Sequence, residues 1–171
     1  MASIIGVETL QHTNGTTAAT IDSSGRILQP AKPACRLGLT ASQAETETAT
    51  VKTVLWNDTN TDNCFIQGGL SLSNGIITVP VDGLYQINSN IRLDNIGSGY
   101  AVMYIIINGE QSNQKDTYII SGSPSSNYEN FTGSEVFKLS ANDEITIGVL
   151  ASTDASWSVS SNSTASVVLI G

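Results

Sequence analysis

Hydrophobic and polar side chains alternate along residues 84–93, and this is the clearest pattern in the chain. The odd-numbered positions are apolar apart from one serine, whereas the even-numbered positions from 86 to 92 are glutamine, asparagine or arginine. Successive side chains of a β-strand point to opposite faces of its sheet. The segment is therefore predicted to be a strand that packs one face into a core, while the other face meets water or a partner.

Further apolar runs are rich in β-branched and aromatic residues, which favour strands. They lie at Ile76 to Val81, Tyr100 to Ile107, Val136 to Leu139, Ile145 to Leu150 and Ala165 to Ile170. Asn74-Gly75, Asp82-Gly83 and Asn108-Gly109 are turn pairs next to these runs, where positive φ angles are required. Ser, Thr and Asn make up about a third of the chain, and their side chains disfavour helix interiors. We therefore predict an all-β sandwich or barrel.

Two of the runs are apolar on both faces. For Tyr100 to Ile107 this requires cover on both sides, either by a second sheet and a loop or by a neighbouring subunit. Ala165 to Ile170 has the same character, and Gly171 follows it at once. Such a strand is expected to pair in the middle of a sheet, beside an early strand.

Composition excludes several classes of function. With 7 cationic and 15 anionic side chains, a net charge of -8 and a pI near 4.3, no cationic surface is large enough to hold nucleic acid. No apolar run approaches the roughly 18 to 20 residues that span a bilayer, and the first 30 residues do not resemble a secretory signal. Membrane insertion is not expected. His12 is the only histidine and has no catalytic motif around it, so we predict that the protein is not an enzyme.

Residues 1–33 differ from the rest of the chain. They carry few large apolar groups, and a Pro30-Ala31-Lys32-Pro33 stretch favours extended backbone. We interpret residues 1–33 as an extended N-terminal arm for attachment and residues 34–171 as a head domain. The candidates for attachment are Ile4, Ile5, Val7 and Leu10, which suffice for strand addition to another protein. A disordered leader is the alternative.

Three segments of the head resemble a known family. They are Ser73 to Ile87, with its glycine turn, proline and aromatic-bearing strand, Tyr104 to Glu110, ending in Asn-Gly, and Phe137 to Ile145, with an acidic pair after a turn. Together they resemble the trimeric jelly roll of the complement one-q globular heads and the tumour-necrosis-factor ligands. The resemblance implies a jelly-roll β-sandwich of two antiparallel sheets, a homotrimer with cyclic symmetry and a non-enzymatic role.

A second resemblance concerns residues 21–34. This segment is similar to the one that precedes such a jelly roll in structural proteins of tailed bacteriophages, marine ones especially. It implies a virion structural protein, assembled in the host cytoplasm and displayed on the tail, a fibre or the capsid. Its partners would be other virion proteins, through the arm, and a host-surface glycan or receptor. The alternative is a secreted, soluble complement one-q-like ligand or adhesin that binds proteins or glycans.

Candidate binding chemistry is sparse. Asp58, Asp62 and Asp94 lie in loop-like surroundings and raise a calcium hypothesis, but no segment has the spacing of a calcium loop, so a solvated acidic surface is expected instead. Cys35 and Cys64 are expected to be free thiols, whereas a bridge between them would fit a secreted protein.

Aromatic residues next to Asn and Ser form the other candidate site. Trp56, Trp157, Tyr118 and Tyr128 are candidates for a surface that stacks against sugar rings of a glycan or receptor. The competing interpretation is that these rings belong to the core or to an interface between subunits. The sequence alone leaves both open.

Overall fold

A computed structural model describes residues 6–61, 63–97, 100–109, 117–122, 128–152 and 156–171, with residues 117–122 described by their backbone alone. All regular structure in these residues is β-strand. The same residues contain no helix that is long and apolar enough to cross a membrane. The strands are β1 (Thr9–Gln11), β2 (Thr17–Ile21), β3 (Ile27–Leu28), β4 (Ala34–Leu37), β5 (Gln43–Glu45), β6 (Lys52–Thr53), β7 (Phe65–Gln67), β8 (Ser71–Ser73), β9 (Ile76–Thr78), β10 (Gly83–Asp94), β11 (Tyr100–Ile107), β12 (Thr117–Gly122), β13 (Tyr128–Leu139), β14 (Glu144–Ser152), β15 (Trp157–Val159) and β16 (Thr164–Leu169).

Two antiparallel sheets form the head. In the first, the order is β5-β15-β10-β16-β4-β7, and β13 pairs with the other edge of β10 along its whole length. In the second, the order is β12-β11-β14-β9-β8, and β6 pairs with β14. These two sheets are called the large sheet and the small sheet below. The all-β jelly-roll sandwich predicted from the sequence is confirmed.

The core lies between the large and the small sheet. Tyr85, Ile87 and Ile91 of β10 are fully buried in one cluster with Met103 and Ile105 of β11. Complete burial of an isoleucine or leucine side chain contributes about 1.5–3 kcal/mol. The alternation along residues 84–93 therefore identifies the core face correctly.

The second face of β11 is covered within the chain itself. Val102 and Ile106 point away from the sandwich core and are nonetheless buried. Val51 lies over this face, because a Cβ added to Gly148 would meet the Val51 Cγ1 at 2.9 Å and the Ile106 Cδ1 at 3.1 Å. The sequence left open whether this face is covered within the chain or by a neighbouring subunit, and the structure shows a loop of the same chain over it. This strand thus gives no argument for a neighbouring subunit.

The last strand lies where the sequence predicted it. β16 is paired with β10 on one side and with the early strand β4 on the other. Beyond the strand, the N–H of Leu84 donates to the Gly171 carbonyl at 2.6 Å, and the N–H of Ile170 donates to the Leu84 carbonyl at 2.8 Å. The chain is therefore held in the sheet up to its last residue.

Two of the three predicted glycine turns have the expected backbone. Asn74 and Gly75 have φ values of 50° and 79°, and Asn108 and Gly109 have 53° and 72°, as a tight hairpin turn requires. Gly83 is different, because it begins β10 without a positive φ. A Cβ there would lie 2.8 Å from the Gly171 carbonyl oxygen, so the glycine is needed for close approach.

The arm contains structure that the sequence did not predict. β1, β2 and β3 form a separate three-stranded antiparallel sheet, called the meander below. His12 accepts a hydrogen bond from the Asn14 N–H at its first turn, and Asp22 accepts two from the Ser24 and Arg26 N–H groups at its second. The sequence predicted an extended arm here, from its few large apolar groups and its Pro30-Ala31-Lys32-Pro33 stretch, whereas these local turns fold residues 9–28 into a small sheet.

Candidate interaction face

The large sheet has one face in the core and one face outside it. The even-numbered residues of β10 point outward, and each is in register with an outward residue of β13, from Leu84 beside Lys138 to Asp94 beside Tyr128. β16 continues the rows on the other side of β10, with Val168 beside Gln86 and Ser166 beside Asn88. This surface is called the outer face below. It consists of Leu84, Gln86, Asn88, Asn90, Arg92, Asp94, Tyr128, Asn130, Thr132, Ser134, Val136, Lys138, Thr164, Ser166, Val168, Arg36 and Ile170.

Hydrogen-bonding side chains occupy the middle of the outer face. The Ser134 hydroxyl donates to the Asn88 carbonyl oxygen at 2.8 Å, and the Asn88 amide donates to the Ser166 hydroxyl at 3.2 Å. A shallow cavity of about 150 Å³ lies beside this row, lined in part by Arg36 and Thr132. The three bonded groups span β13, β10 and β16, so the polar row fixes side-chain positions across the centre of the sheet.

The two ends of the outer face differ from its middle. At one end Leu84, Val136 and Ile170 are 42%, 45% and 47% exposed. At the other end the Arg92 Nε donates to the Asp94 carboxylate at 2.7 Å, and the Arg92 guanidinium lies 4.8 Å from the centre of the Tyr128 ring. Ion pairs this open to water contribute about 0–1 kcal/mol. An apolar patch, a polar centre and a cation stacked on an aromatic ring thus follow one another along the face.

The predicted sugar-stacking surface is not assembled. Trp56 and Trp157 are 3% and 1% exposed and belong to the core, so their rings have no free face for a ligand. That part of the prediction is wrong, and the competing assignment of these rings to the core is correct. Tyr128 is 48% exposed on the outer face and is still available. The side chain of Tyr118 lies outside the described residues.

A second, polar concavity of about 650 Å³ lies beside the outer face, between β4 and the turn before β16. Arg36, Asp58 and Cys64 line it. The Thr61 hydroxyl and N–H donate to the Asp58 carboxylate, and the hydroxyl bond is the main reason that the pKa of Asp58 is below its ordinary value. Asp58 is therefore expected to be ionised, although its oxygens are already used within the chain.

The calcium candidates do not converge among the described residues. Asp58 is bonded to Thr61, Asp94 is bonded to Arg92, and Asp62 lies outside the described part of the chain. No group of three or more His, Cys, Asp or Glu side chains that could hold a metal ion occurs in the ranges that the structure describes.

The two cysteines form no disulfide, and their side chains lie on opposite sides of β4. Cys35 is buried in the core, and burial raises the pKa of its thiol to about 11. Cys64 lies on the other side, where the Arg36 Nη1 is 3.8 Å from its sulfur and a Cβ on Gly38 would be 3.1 Å from it. The backbone of β4 separates the two sulfurs, so the bridge that a secreted protein was expected to contain is not formed.

The attachment candidates lie in and before the meander. Leu10 is in β1 and is exposed, Val7 precedes β1 and is exposed, and Ile4 and Ile5 lie outside the described residues. Their role in attachment stays a prediction.

Sequence reasoning missed most of the outer face. It found the polar side of β10 but predicted only Val136 to Leu139 from the long strand β13, and it did not single out Arg36 or Ser166. Phe131, Gly133 and Phe137 are at odd-numbered positions and alternate with the polar Thr132 and Ser134. The kind of alternation that revealed β10 was therefore present in β13 as well. This weaker, serine- and threonine-rich pattern was the available signal.

Comparison with solved structures agrees with the sandwich. Crystal structures of murine APRIL at pH 5.0 and at pH 8.0 are similar to this chain. The pH 5.0 structure has a TM-score of 0.59 at 20% identity, with 81% of this chain and 99% of that chain covered. The pH 8.0 structure has a TM-score of 0.60 at 18% identity, with 81% and 98% covered. Identity this low shows a shared fold.

Comparison by sequence is more specific. No curated protein matches the chain. A sequence model of the TNF (Tumour Necrosis Factor) family, however, matches residues 54–170, which is more than half of the chain and includes every strand from β7 to β16. The chain therefore belongs to the tumour necrosis factor family.

Proposed function

We propose that this protein is a non-enzymatic homotrimer whose heads associate through the outer face of the large sheet. The observation that carries the proposal is that this face of the head is uncovered, whereas the faces of the two head sheets that line the core are closed within the chain. Members of the family form homotrimers and act as ligands without enzymatic activity. Cyclic symmetry lets one contact repeat three times and close on itself.

The energetics favour the apolar end of the outer face as the anchor. Leu84, Val136 and Ile170 each leave close to half of their surface in water. Removing apolar surface from water contributes about 25 cal/mol per Å². Nothing within the described chain covers this patch, so two identical neighbours supply the cover.

The polar centre of the outer face contributes specificity. Asn88, Ser134 and Ser166 already satisfy one another, so their burial between subunits carries little of the desolvation cost that unpaired polar groups have. Arg36 lines the shallow cavity, where its guanidinium can donate to a neighbouring subunit or to bridging water.

Sedimentation equilibrium on the full chain tests the trimer. We expect a mass three times the chain mass of 17.9 kDa at micromolar concentration. Leu84→Asp puts a charge in the apolar anchor of the proposed contact and is expected to weaken association at least about tenfold, because a buried unpaired charge is costly. Leu55→Asp is the matched control, since Leu55 is 49% exposed and lies near β5, at the far edge of the large sheet. A monomeric parent chain would refute the proposal.

The trimer is further proposed to be a virion structural protein of a tailed phage, displayed on the tail, a fibre or the capsid after assembly in the host cytoplasm. The similarity of residues 21–34 to the leaders of such proteins supports this role. So does the arm, which precedes the part of the chain that matches the family. In this role the arm binds other virion proteins, and Tyr128, at the end of the outer face opposite the apolar anchor of the trimer, is an aromatic contact for a host-surface glycan. Peptides of this chain in purified, density-banded particles of the source virus would support the role, and their absence would refute it.

A soluble ligand is the second candidate function. The family match favours it, because it begins at residue 54 and does not include the segment that resembles phage leaders. It predicts that the protein is recovered free in the culture medium and that an immobilised head retains a protein or glycan partner without the arm's help. Recovery only in particles would exclude this candidate.

A further inference from the structure

The meander has one apolar face and one polar face. Leu10 is in register with Ala19, and Ile21 is in register with Ile27, so these four side chains share a face. Thr9 and Leu28 are both in register with Thr20, on the opposite face. A bulge after Leu10 keeps Gln11 beside Thr17 on that second face, where the Gln11 amide donates to the Thr17 hydroxyl at 3.4 Å.

The apolar face of the meander has no covering layer. Ala19, at its centre, is 7% exposed, whereas Leu10 and Ile27 at its flanks are 52% and 65% exposed. A sheet that is apolar on one face is stable only when another layer packs against that face. No element of the described head fills this role, which leaves the face open to a further copy of this chain.

The charge on the meander permits self-association. Residues 6–28 contain two acidic residues, Glu8 and Asp22, and one cationic residue, Arg26, which gives a net charge of -1 out of the chain's -8. Asp22 is paired with Arg26 at 2.7 Å. Glu8 lies at the margin of the apolar face, since the Ile21 N–H donates to its carbonyl at 2.8 Å. Three such sheets can approach with little electrostatic repulsion, because each carries a net charge of only -1.

The meander is connected to the head close to the proposed contact between subunits. The arm joins the head at β4, where Pro33 accepts a hydrogen bond from the Leu169 N–H at 3.0 Å. A groove of about 440 Å³ at this junction is lined by Ala18 of the meander and by Val81 and Ile170 of the head. Ile170 also belongs to the apolar end of the outer face. The meander thus emerges beside the proposed trimer contact, on a connection of only about five residues, which keeps the local concentration of its copies high.

From these observations we infer that the apolar faces of three meanders pack against one another in the trimer and form a small three-sheeted stalk below the heads. The occupant of each face is therefore the same face of two further copies of this chain. The inference rests on the proposed homotrimer and extends it to the arm, which lies outside the part of the chain that matches the family.

Disulfide trapping in the full chain tests the stalk. The variant Leu10→Cys/Ile27→Cys, in a Cys64→Ser background, places thiols on β1 and β3 of the apolar face. Within one chain these strands are separated by β2, roughly 9.6 Å apart at the usual strand spacing, which is too far for an intrachain bridge. The matched control is Thr9→Cys/Leu28→Cys, one residue away on each strand and on the opposite face.

We expect mild oxidation of dilute protein to give covalent dimers and trimers of the first variant at least about tenfold faster than of the control, as read on a non-reducing gel. Sedimentation of the reduced protein runs in parallel. A trimer that cross-links equally slowly in both variants refutes the stalk and leaves the proposed function intact. A monomer refutes the proposed homotrimer and the stalk together.

Discussion

Leu84 and Gly171 join the start of the central strand to the end of the chain, because the Leu84 N–H donates to the Gly171 carbonyl at 2.6 Å. Gly83 makes this approach possible. A Cβ at residue 83 would lie 2.8 Å from the Gly171 oxygen and 2.4 Å from the Leu169 Cδ1. The glycine and the hydrogen bond therefore act together to hold the C-terminal residues against the start of β10, at the apolar end of the outer face. This arrangement is called the closure below.

Gly83→Ala is expected to destabilise the fold. The added methyl must displace backbone at Gly171, and overpacking of this kind costs about 1–3 kcal/mol. Urea unfolding followed by tryptophan fluorescence measures the loss. Gly6→Ala is the control, since no atom lies within 4 Å of the site and its φ is not positive, so a change within about 0.5 kcal/mol is expected. Equal stabilities for the two variants would contradict the closure.

The two thiols are expected to differ sharply towards an alkylating reagent. Cys35 is 1% exposed in the core and its pKa is raised, whereas Cys64 is partly exposed beside Arg36. Because the thiolate is the reactive form, native protein is expected to take up iodoacetamide at Cys64 and not at Cys35. Intact mass measurement counts one adduct before and two after denaturation. Two adducts at equal rates in native protein would place Cys35 at the surface and contradict the register of β4.

The raised pKa of Cys35 also leads us to expect that the protein loses stability at alkaline pH. Its pKa rises from an ordinary 9.0 to about 11 in the fold, because burial disfavours the thiolate. Between those values the unfolded chain has lost the proton and the folded chain has kept it, so stability is full below about pH 9 and falls as the pH rises towards 11. The slope is about 1.4 kcal/mol per pH unit in that window.

Denaturant midpoints measured between pH 8 and pH 11 test this slope, with Cys35→Val as the comparison. The variant keeps an apolar side chain of similar size and has no proton to lose, so its curve is expected to be flatter than that of the parent. Parallel curves would show that Cys35 does not cause the alkaline loss.

The pattern of side chains predicted the sandwich because burial imposes it. Ile87 and Ile91 are both at odd-numbered positions of β10, so their side chains lie on the same face of the strand, and both are fully buried. The position of β16 followed from a similar argument, since an apolar strand at a chain terminus needs neighbours on both sides.

The outer face and the meander were harder to predict for physical reasons. Thr132 and Ser134 are on β13 because the strand pairs with β10 over its whole length, and their alternation with phenylalanine and glycine is a weaker local signal than the alternation in β10. The meander folds through the turns at His12 and Asp22, where side chains bond to nearby N–H groups. Trp56 and Trp157 were misplaced because an aromatic ring next to polar residues gives no indication of the direction in which it points.

The two buried tryptophans offer a matched pair for the last prediction. The Trp157 Nε1–H donates to the Glu47 carbonyl at 3.0 Å, whereas the Trp56 Nε1–H is buried without a partner among the described residues. Replacement by phenylalanine removes similar apolar volume at both positions, but only Trp157→Phe also breaks a hydrogen bond. A buried unsatisfied group costs about 1–3 kcal/mol of stability, so removing the Trp56 N–H offsets part of the stability that is lost with the smaller ring.

Trp157→Phe is therefore expected to destabilise the protein by about 1–2 kcal/mol more than Trp56→Phe, as measured by urea unfolding followed by far-ultraviolet circular dichroism. The reverse order would mean that the Trp56 N–H has a partner in solution, for instance a water molecule or another subunit.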